Sequence, residues 1–351
     1  MSKSPEIQGL RGVAILLVVT LHLIYAPFNF SPFRFGFLGV QLFFIISGYV
    51  VTQSALLSNR MGFFQKRIAR IYPPLIIAIL LNILLDFFDL VQNKQITSFN
   101  ILFSGLLLEP RVLNILLDTQ IQFIDPVYWT LVVEAKYYFL IGFLIYKLQN
   151  RTGFFIQGMS YLSFIFNCFN LSPHFWQSNV KLSTFVNAAT ITGIHYFSWF
   201  TLGMLFLRQK DFSTSKYYLL FFINILASVL QLIQFELAQE YFDSFVPVVG
   251  IILIFVFKYR KSKYINRFLI SRILVHIGDA SYTLYLLHFP MYFALDKVSF
   301  YLNFPIGIFR NLVFTLLIIG ISIQFEKYFT SRLVALTRTK LLKQKLDYKS
   351  K

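Results

Sequence analysis

The segment Leu10–Tyr25, LRGVAILLVVTLHLIY, sets an arginine and a histidine inside a run that otherwise reads as a membrane-spanning helix. Ionisable groups at that depth are costly and are functional sites by default. At a rise of about 1.5 Å per residue, Arg11 and His22 stand about 16 Å apart along a helix, roughly half a bilayer. At about 3.6 residues per turn they also leave nearly the same face. A guanidinium near one membrane surface suits a phosphate, which it grips through a planar fork. An imidazole deep in the span suits proton transfer or transient acylation, because it titrates near neutrality.

Four further stretches carry related chemistry. RMGFFQKRIARIYPP, residues 60–74, holds Lys66, Arg67 and Arg70. Arg67 and Arg70 share a helix face, and with Arg11 they form a cationic set suited to phosphates; an ordinary basic loop beside a span is the competing reading. PVYWTLVVEAKYYFL, residues 126–140, places Glu134 about two turns into a span, where a carboxylate needs a partner. A histidine is the expected partner, since Lys136 points away; a carboxylate that only pins two helices together is the alternative. In IGDASYTLYLLHFP, residues 277–290, Asp279 suits the N-terminus of the helix that follows and His288 lies deeper. GFLGVQLFFIISGYVVTQS, from Gly36, offers Gly39, Ser47 and Gly48, at which a neighbouring helix or a ligand can approach the backbone. His22, Glu134 and His288 are expected at similar depth toward the outside, and the arginines toward the inside. His174, His195 and His276 read as structural, and Cys168 as packing.

The elements that must position these groups are transmembrane helices. The chain has 351 residues, 57% of them apolar and 13% charged, and a mean hydropathy of +0.65. That composition excludes an ordinary soluble domain. Apolar blocks recur near residues 10–26, 35–57, 73–91, 127–146, 154–171, 184–207, 217–235, 245–257, 279–295 and 304–325, which predicts an all-α polytopic membrane protein of about ten spans. The block at 99–117 is interrupted by Glu109, Pro110 and Arg111 and is expected to be re-entrant or interfacial. The formal charge of +17 is not a nucleic-acid signature here, because threading the spans from an inside N-terminus puts 25 of the 32 Lys and Arg on one side. Both termini are therefore expected in the cytoplasm, with a retained first helix, a single membrane domain at 1–330 and a basic tail at 331–351 that either lies on anionic lipid or is solvated. One cysteine excludes an intrachain disulfide, and no cluster suggests a metal.

Taken together, Arg11 and His22, GVQLFFIISGY at 39–49, FFQKRIARIYPP at 63–74, YWTLVVEAKYYFL at 128–140 and GDASYTLYLLHFP at 278–290 resemble, in this order, the acyltransferase-3 family of integral membrane O-acyltransferases. The resemblance implies a bacterial-type inner-membrane enzyme that moves an acyl group, usually acetyl, from cytoplasmic acyl-CoA to a hydroxyl of an extracytoplasmic carbohydrate. O-antigen, capsule, another cell-surface glycan or a lipid-linked sugar would be the acceptor. It implies His22 as the catalytic residue, with Glu134 and His288 beside it. It also implies donor binding by Arg11, Arg67 and Arg70, to which the backbone openings at Ser47 and Gly48 are added. Trp129 and Glu134 match one family motif, and Ser281, Tyr282, Tyr285 and His288 another. Two positions depart: Gln41 stands where an acid is common, and Ala135 replaces the second of two frequent glutamates. The reading that competes is a proton-coupled transporter of a small polar or acyl substrate, with His22, Glu134 and His288 as its relay.

Overall fold

The computed structural model describes residues 4–28, 31–90, 96–148, 151–170, 186, 189–238, 263–337 and 339. Every regular element among them is helical. The chain is a multi-pass membrane protein: among the described residues six helices are long and apolar enough to span, namely Pro5–Phe28, Phe33–Leu56, Arg60–Phe87, Tyr128–Lys147, Thr214–Gln234 and Ile308–Thr337. We label the elements α1 (Pro5–Phe28), α2 (Leu38–Leu56), α3 (Arg60–Phe87), α4 (Ser98–Leu106), α5 (Pro110–Leu117), α6 (Tyr128–Lys147) and α7 (Thr152–Asn170). They are followed by α8 (Phe197–Leu207), α9 (Thr214–Ala238), α10 (Lys263–Leu269), α11 (Arg272–Asp279), α12 (Ser281–Tyr301) and α13 (Ile308–Phe325). The expected span at 245–257 lies outside the described residues.

Several boundaries differ from the expectation, each for a local reason. The basic segment 60–74 is not a loop before a span but the first half of α3, which runs on through Pro73 and Pro74. Within a membrane a proline can sit inside a helix when neighbours satisfy the carbonyl it frees. The block at 99–117 is two short helices: Thr97 caps α4 by accepting from the Asn100 N–H at 3.2 Å, Leu107 ends it in the left-handed region, and Pro110 opens α5. Leu108, Val112, Ile115, Leu116 and Leu117 are left exposed there, the pattern of an interfacial hairpin. Asp279 closes α11 and stands one residue before Ala280, from which α12 starts. Cys168 is exposed on α7 and not packed inside. Beyond Phe325 the helix continues through a π turn, Glu326–Thr330, to Thr337, and the rest of the tail lies outside the described residues apart from Thr339.

The helices form two compact units, 1–39 with 61–132 and 267–351, and 40–60 with 133–266. In the first, α1 lies directly on α11 because glycines remove the side chains between them. A Cβ on Gly278 would collide with the Gln8 carbonyl, and one on Gly12 with the Leu274 carbonyl. Lipid gives apolar side chains no reason to prefer protein, so such backbone approach is what holds the pair. In the second unit α2 and α8 meet the same way at Gly48 and Gly203. Phe44, Phe200 and Tyr137 stack there with ring centroids 4.6 and 4.1 Å apart. A polar seam joins α7, α8 and α9: Asn224 Nδ2 donates to Ser160 Oγ at 2.8 Å, Ser228 Oγ to Ser198 Oγ at 3.0 Å, and Trp199 Nε1 to Gln231 Oε1 at 2.9 Å.

Candidate active site

His22 does not sit in ordinary α-helix. Residues Leu21–Tyr25 wind as a π turn, in which the Ala26 N–H reaches back five residues to the Leu21 carbonyl. Single π turns inside α-helices recur at functional sites, because the wider turn re-aims one side chain. The half-buried His22 ring packs against His288 and edge-on against Phe289, with centroids 5.2 and 5.3 Å away.

The two imidazoles are hydrogen-bonded, His22 Nδ1 to His288 Nε2 at 3.1 Å. His288 is fully buried, and its Nδ1 lies 2.8 Å from the Tyr285 carbonyl oxygen, which accepts only. In the neutral pair that carbonyl decides both tautomers. His288 must carry its proton on Nδ1, so its Nε2 is a lone pair and must receive the His22 Nδ1–H. The remaining lone pair in this arrangement falls on His22 Nε2, and the His22 ring also meets the Val18 carbonyl, one turn back on α1. The outcome is a nucleophilic or basic nitrogen with a second imidazole behind it to share the charge when it takes a proton or an acyl group.

The motif on α12 holds this pair in place. The Tyr285 hydroxyl donates to the Val127 carbonyl at 2.9 Å and lies 2.7 Å from Thr130 Oγ1, which ties α12 to the start of α6. The Tyr282 hydroxyl donates to the Ile71 carbonyl on α3 at 3.2 Å, and Ser281 is buried. Thr283 Oγ1 donates to Glu326 Oε2 at 2.6 Å, fastening the other face of α12 to the π turn after α13. Thus Tyr282 and Tyr285 do not face the reacting nitrogen; each anchors the helix that carries His288. Trp129, beside Thr130, is at the edge of exposure at 36%.

Arg11 is buried within α1, while Arg67 and Arg70 are half-buried one turn apart on α3, with the Arg67 guanidinium 5.7 Å from the Phe63 ring centroid. All three belong to the first unit, with His22 and His288. Glu134, Ser47 and Gly48 belong to the second. There Glu134 Oε1 accepts hydrogen bonds from the Ser47 and Tyr138 hydroxyls. One hydroxyl from α2 and one from the next turn of α6 itself give a carboxylate at this depth polar partners. Lys136 turns elsewhere, as expected, and donates to the Ile191 carbonyl. The space that Gly48 opens is filled by the Phe200 carbonyl of α8, so the chain that approaches Gly48 is a helix. Of the other histidines, His195 lies in a 3-10 turn against Tyr196, His276 contacts the Arg272 carbonyl, and His174 lies outside the described residues.

Sequence reasoning passed over Thr130, Tyr292, Arg310 and Asn311. Thr130 was legible as the hydroxyl of the Trp-Thr-Leu triplet. Asn311 had a weaker signal, an amide inside an apolar span, where it must find partners.

The comparisons with known proteins agree with this architecture. The model of the acyltransferase-3 family, described as an acyltransferase domain, matches residues 4–325. The O-acetyltransferase OatA of Staphylococcus aureus strain NCTC 8325 / PS 47 is 26% identical over 345 residues, which cover 89% of this chain and 54% of that protein. A protein of S. aureus strain MSSA476, SAS0844, whose O-acetyltransferase name is itself provisional, is 24% identical over 337 residues, 87% of this chain and 54% of its own length. The chain therefore spans about half the length of these relatives. No solved structure matches it significantly. With its family motifs spread from α1 to α12 and the family model covering nearly all of it, this chain belongs to the acyltransferase-3 family.

Proposed function

We propose that the protein is an O-acyltransferase that moves an acetyl group from acetyl-CoA, bound from the cytoplasm, to a hydroxyl of an extracytoplasmic carbohydrate. The observation that carries the reading is the ordered chain from the Tyr285 carbonyl through His288 to His22, which leaves a lone pair on His22 Nε2. That nitrogen would take the proton of the acceptor hydroxyl as its oxygen attacks the thioester carbonyl. The carbon–sulfur bond then breaks, and the thiolate leaves and recovers the proton, so the products are the O-acetyl sugar and free coenzyme A. The same lone pair also permits an acyl-histidine intermediate, with the sugar attacking in a second step. His288 would stabilise the imidazolium in either case.

Arg11, Arg67 and Arg70 would hold the phosphates of the donor, and the pantetheine arm would run between helices toward His22. The charge distribution along the chain supports cytoplasmic termini, and the family resemblance supports a bacterial-type inner membrane as the location. An O-antigen, a capsule or a lipid-linked sugar would be suitable acceptors, and the O-acetyltransferase names of the relatives support acetyl as the group moved.

Membranes carrying the chain, supplied with acetyl-CoA labelled in the acetyl group and native acceptor, test this. Label should enter extracytoplasmic glycan with the wild-type chain and not with His22→Ala. Equal labelling by both proteins would remove His22 from the chemistry, and absence of donor turnover in the wild type would end the acyltransferase reading.

A further inference from the structure

The π turn that carries His22 is held from behind by a buried polar assembly that neither the motifs nor the proposed reaction uses. Asn311 on α13 is completely buried, and its Nδ2 donates to the Leu23 carbonyl, one residue after His22, at 2.7 Å. The second Nδ2 hydrogen goes to the Tyr292 hydroxyl of α12 at 2.9 Å. On its other side Asn311 Oδ1 accepts from Arg310 Nε at 3.3 Å, while Arg310 binds Ser299 Oγ at 2.9 Å and Asp296 Oδ1 at 2.6 Å. Arg310 is itself buried and its ion pair with Asp296 is 34% exposed only on the acid's side.

These bonds admit one orientation of the amide. Turned over, Asn311 would present its oxygen to the Leu23 carbonyl and its NH2 to the Arg310 donor, two repulsions in place of two bonds. A π turn is uncommon and gains little from its own backbone, so it persists where outside contacts hold it. The Leu23 carbonyl lies within this turn, and the partner it finds is a side chain that an arginine, a tyrosine and a carboxylate keep from rotating.

We infer that Asn311 is a positioning residue, whose hydrogen bond to the Leu23 carbonyl holds the π turn in the register that aims His22 at His288 and at the reacting group. This rests on the proposed role of His22. It assigns to α13, which carries no recognised motif, a part in catalysis through the backbone and not through contact with substrate.

The test measures kcat and the KM for acetyl-CoA in membranes, per amount of folded protein, for Asn311→Leu, Asn311→Asp, Asn224→Leu and His22→Ala. Leucine removes the donor at nearly equal volume, and aspartate keeps an acceptor for Arg310 while losing the amide donor. Asn224 is an equally buried asparagine of the second unit that bonds Ser160 and the Leu220 carbonyl, so its variant measures the cost of losing any buried amide. Misplacing a catalytic group by about 1 Å costs about 10²-fold. Both Asn311 variants should therefore lose about 10- to 100-fold in kcat with KM within about twofold of wild type. Asn224→Leu should lower the yield of folded protein and leave its kcat within about twofold. Wild-type kcat in either Asn311 variant, a change confined to KM, or an equal kcat loss in Asn224→Leu would overturn the inference. Activity in His22→Ala would instead overturn the reading on which it rests, a distinct outcome in the same assay.

Discussion

Replacing His288 separates the two bonds its ring makes, and the separation has a calculable size. In His288→Gln the side-chain amide ends close to where Nε2 now lies, 3.1 Å from His22 Nδ1, so an acceptor for the His22 proton remains. In His288→Asn the shorter amide takes the place of Nδ1, 2.8 Å from the Tyr285 carbonyl, and the acceptor toward His22 is lost. His288→Leu loses both. Without the acceptor, His22 is free to put its proton on the nitrogen that must be bare. General acid–base catalysis is worth about 10²–10⁴-fold, and each tenfold is about 1.4 kcal/mol of barrier. We therefore expect kcat to fall about 10²-fold or more, about 3 kcal/mol, in the Leu and Asn variants, and by less than about tenfold in Gln. The KM for acetyl-CoA should hold in all three, since no phosphate contact changes. Stability should move little, because the Tyr285 carbonyl lies within α12 and loses at most one side-chain hydrogen bond, worth about 1 kcal/mol. Transfer of labelled acetyl in membranes over a range of acetyl-CoA concentrations measures kcat and KM, and the melting temperature in detergent measures stability. Full activity in His288→Leu, or Asn matching Gln, would refute the tautomer argument.

Gly278→Ala should cripple folding more than any polar change at the site, because the new methyl meets the Gln8 backbone and separates α11 from α1; the yield of monodisperse protein in detergent is the measure, and wild-type yield would contradict the close approach. Glu134→Gln should lower the melting temperature by weakening the hydrogen bonds from Ser47 and Tyr138, worth about 1.5–3 kcal/mol each when the acceptor is charged. Its kcat should fall far less than that of His22→Ala, and an equal loss would return Glu134 to the chemistry. Arg67→Lys and Arg70→Lys should raise the KM for acetyl-CoA by about tenfold with kcat little changed, because an ammonium cannot grip a phosphate through two parallel bonds. Unchanged donor binding would remove the α3 arginines from the donor site.

Much of the outline was legible because a membrane limits what a sequence can mean. Length, apolarity and the sidedness of Lys and Arg point to a bundle of spanning helices, and helical spacing alone converts Arg11 and His22 into two depths on one face. The interruption at 109–111 was visible for the same reason, since proline and charge cannot continue a lipid-exposed helix. Spacing does not say which faces meet. In lipid nearly every face is apolar, so hydropathy carries no direction inward, and the choice falls to backbone approach at glycine and to the pairing of the few polar groups. Those pairings join residues far apart in the chain: His22 with His288 across 266 positions, Leu23 with Asn311 across 288, and Glu134 with Ser47 across 87. An isolated carboxylate announces that it needs a partner but not which one. The π turn left no mark in the sequence either, because a five-residue turn differs from a four-residue turn only in what the surrounding helices hold in place. The identity of the reactive groups was thus written along the chain, while their protonation and aim were decided only where three distant helices close on one another.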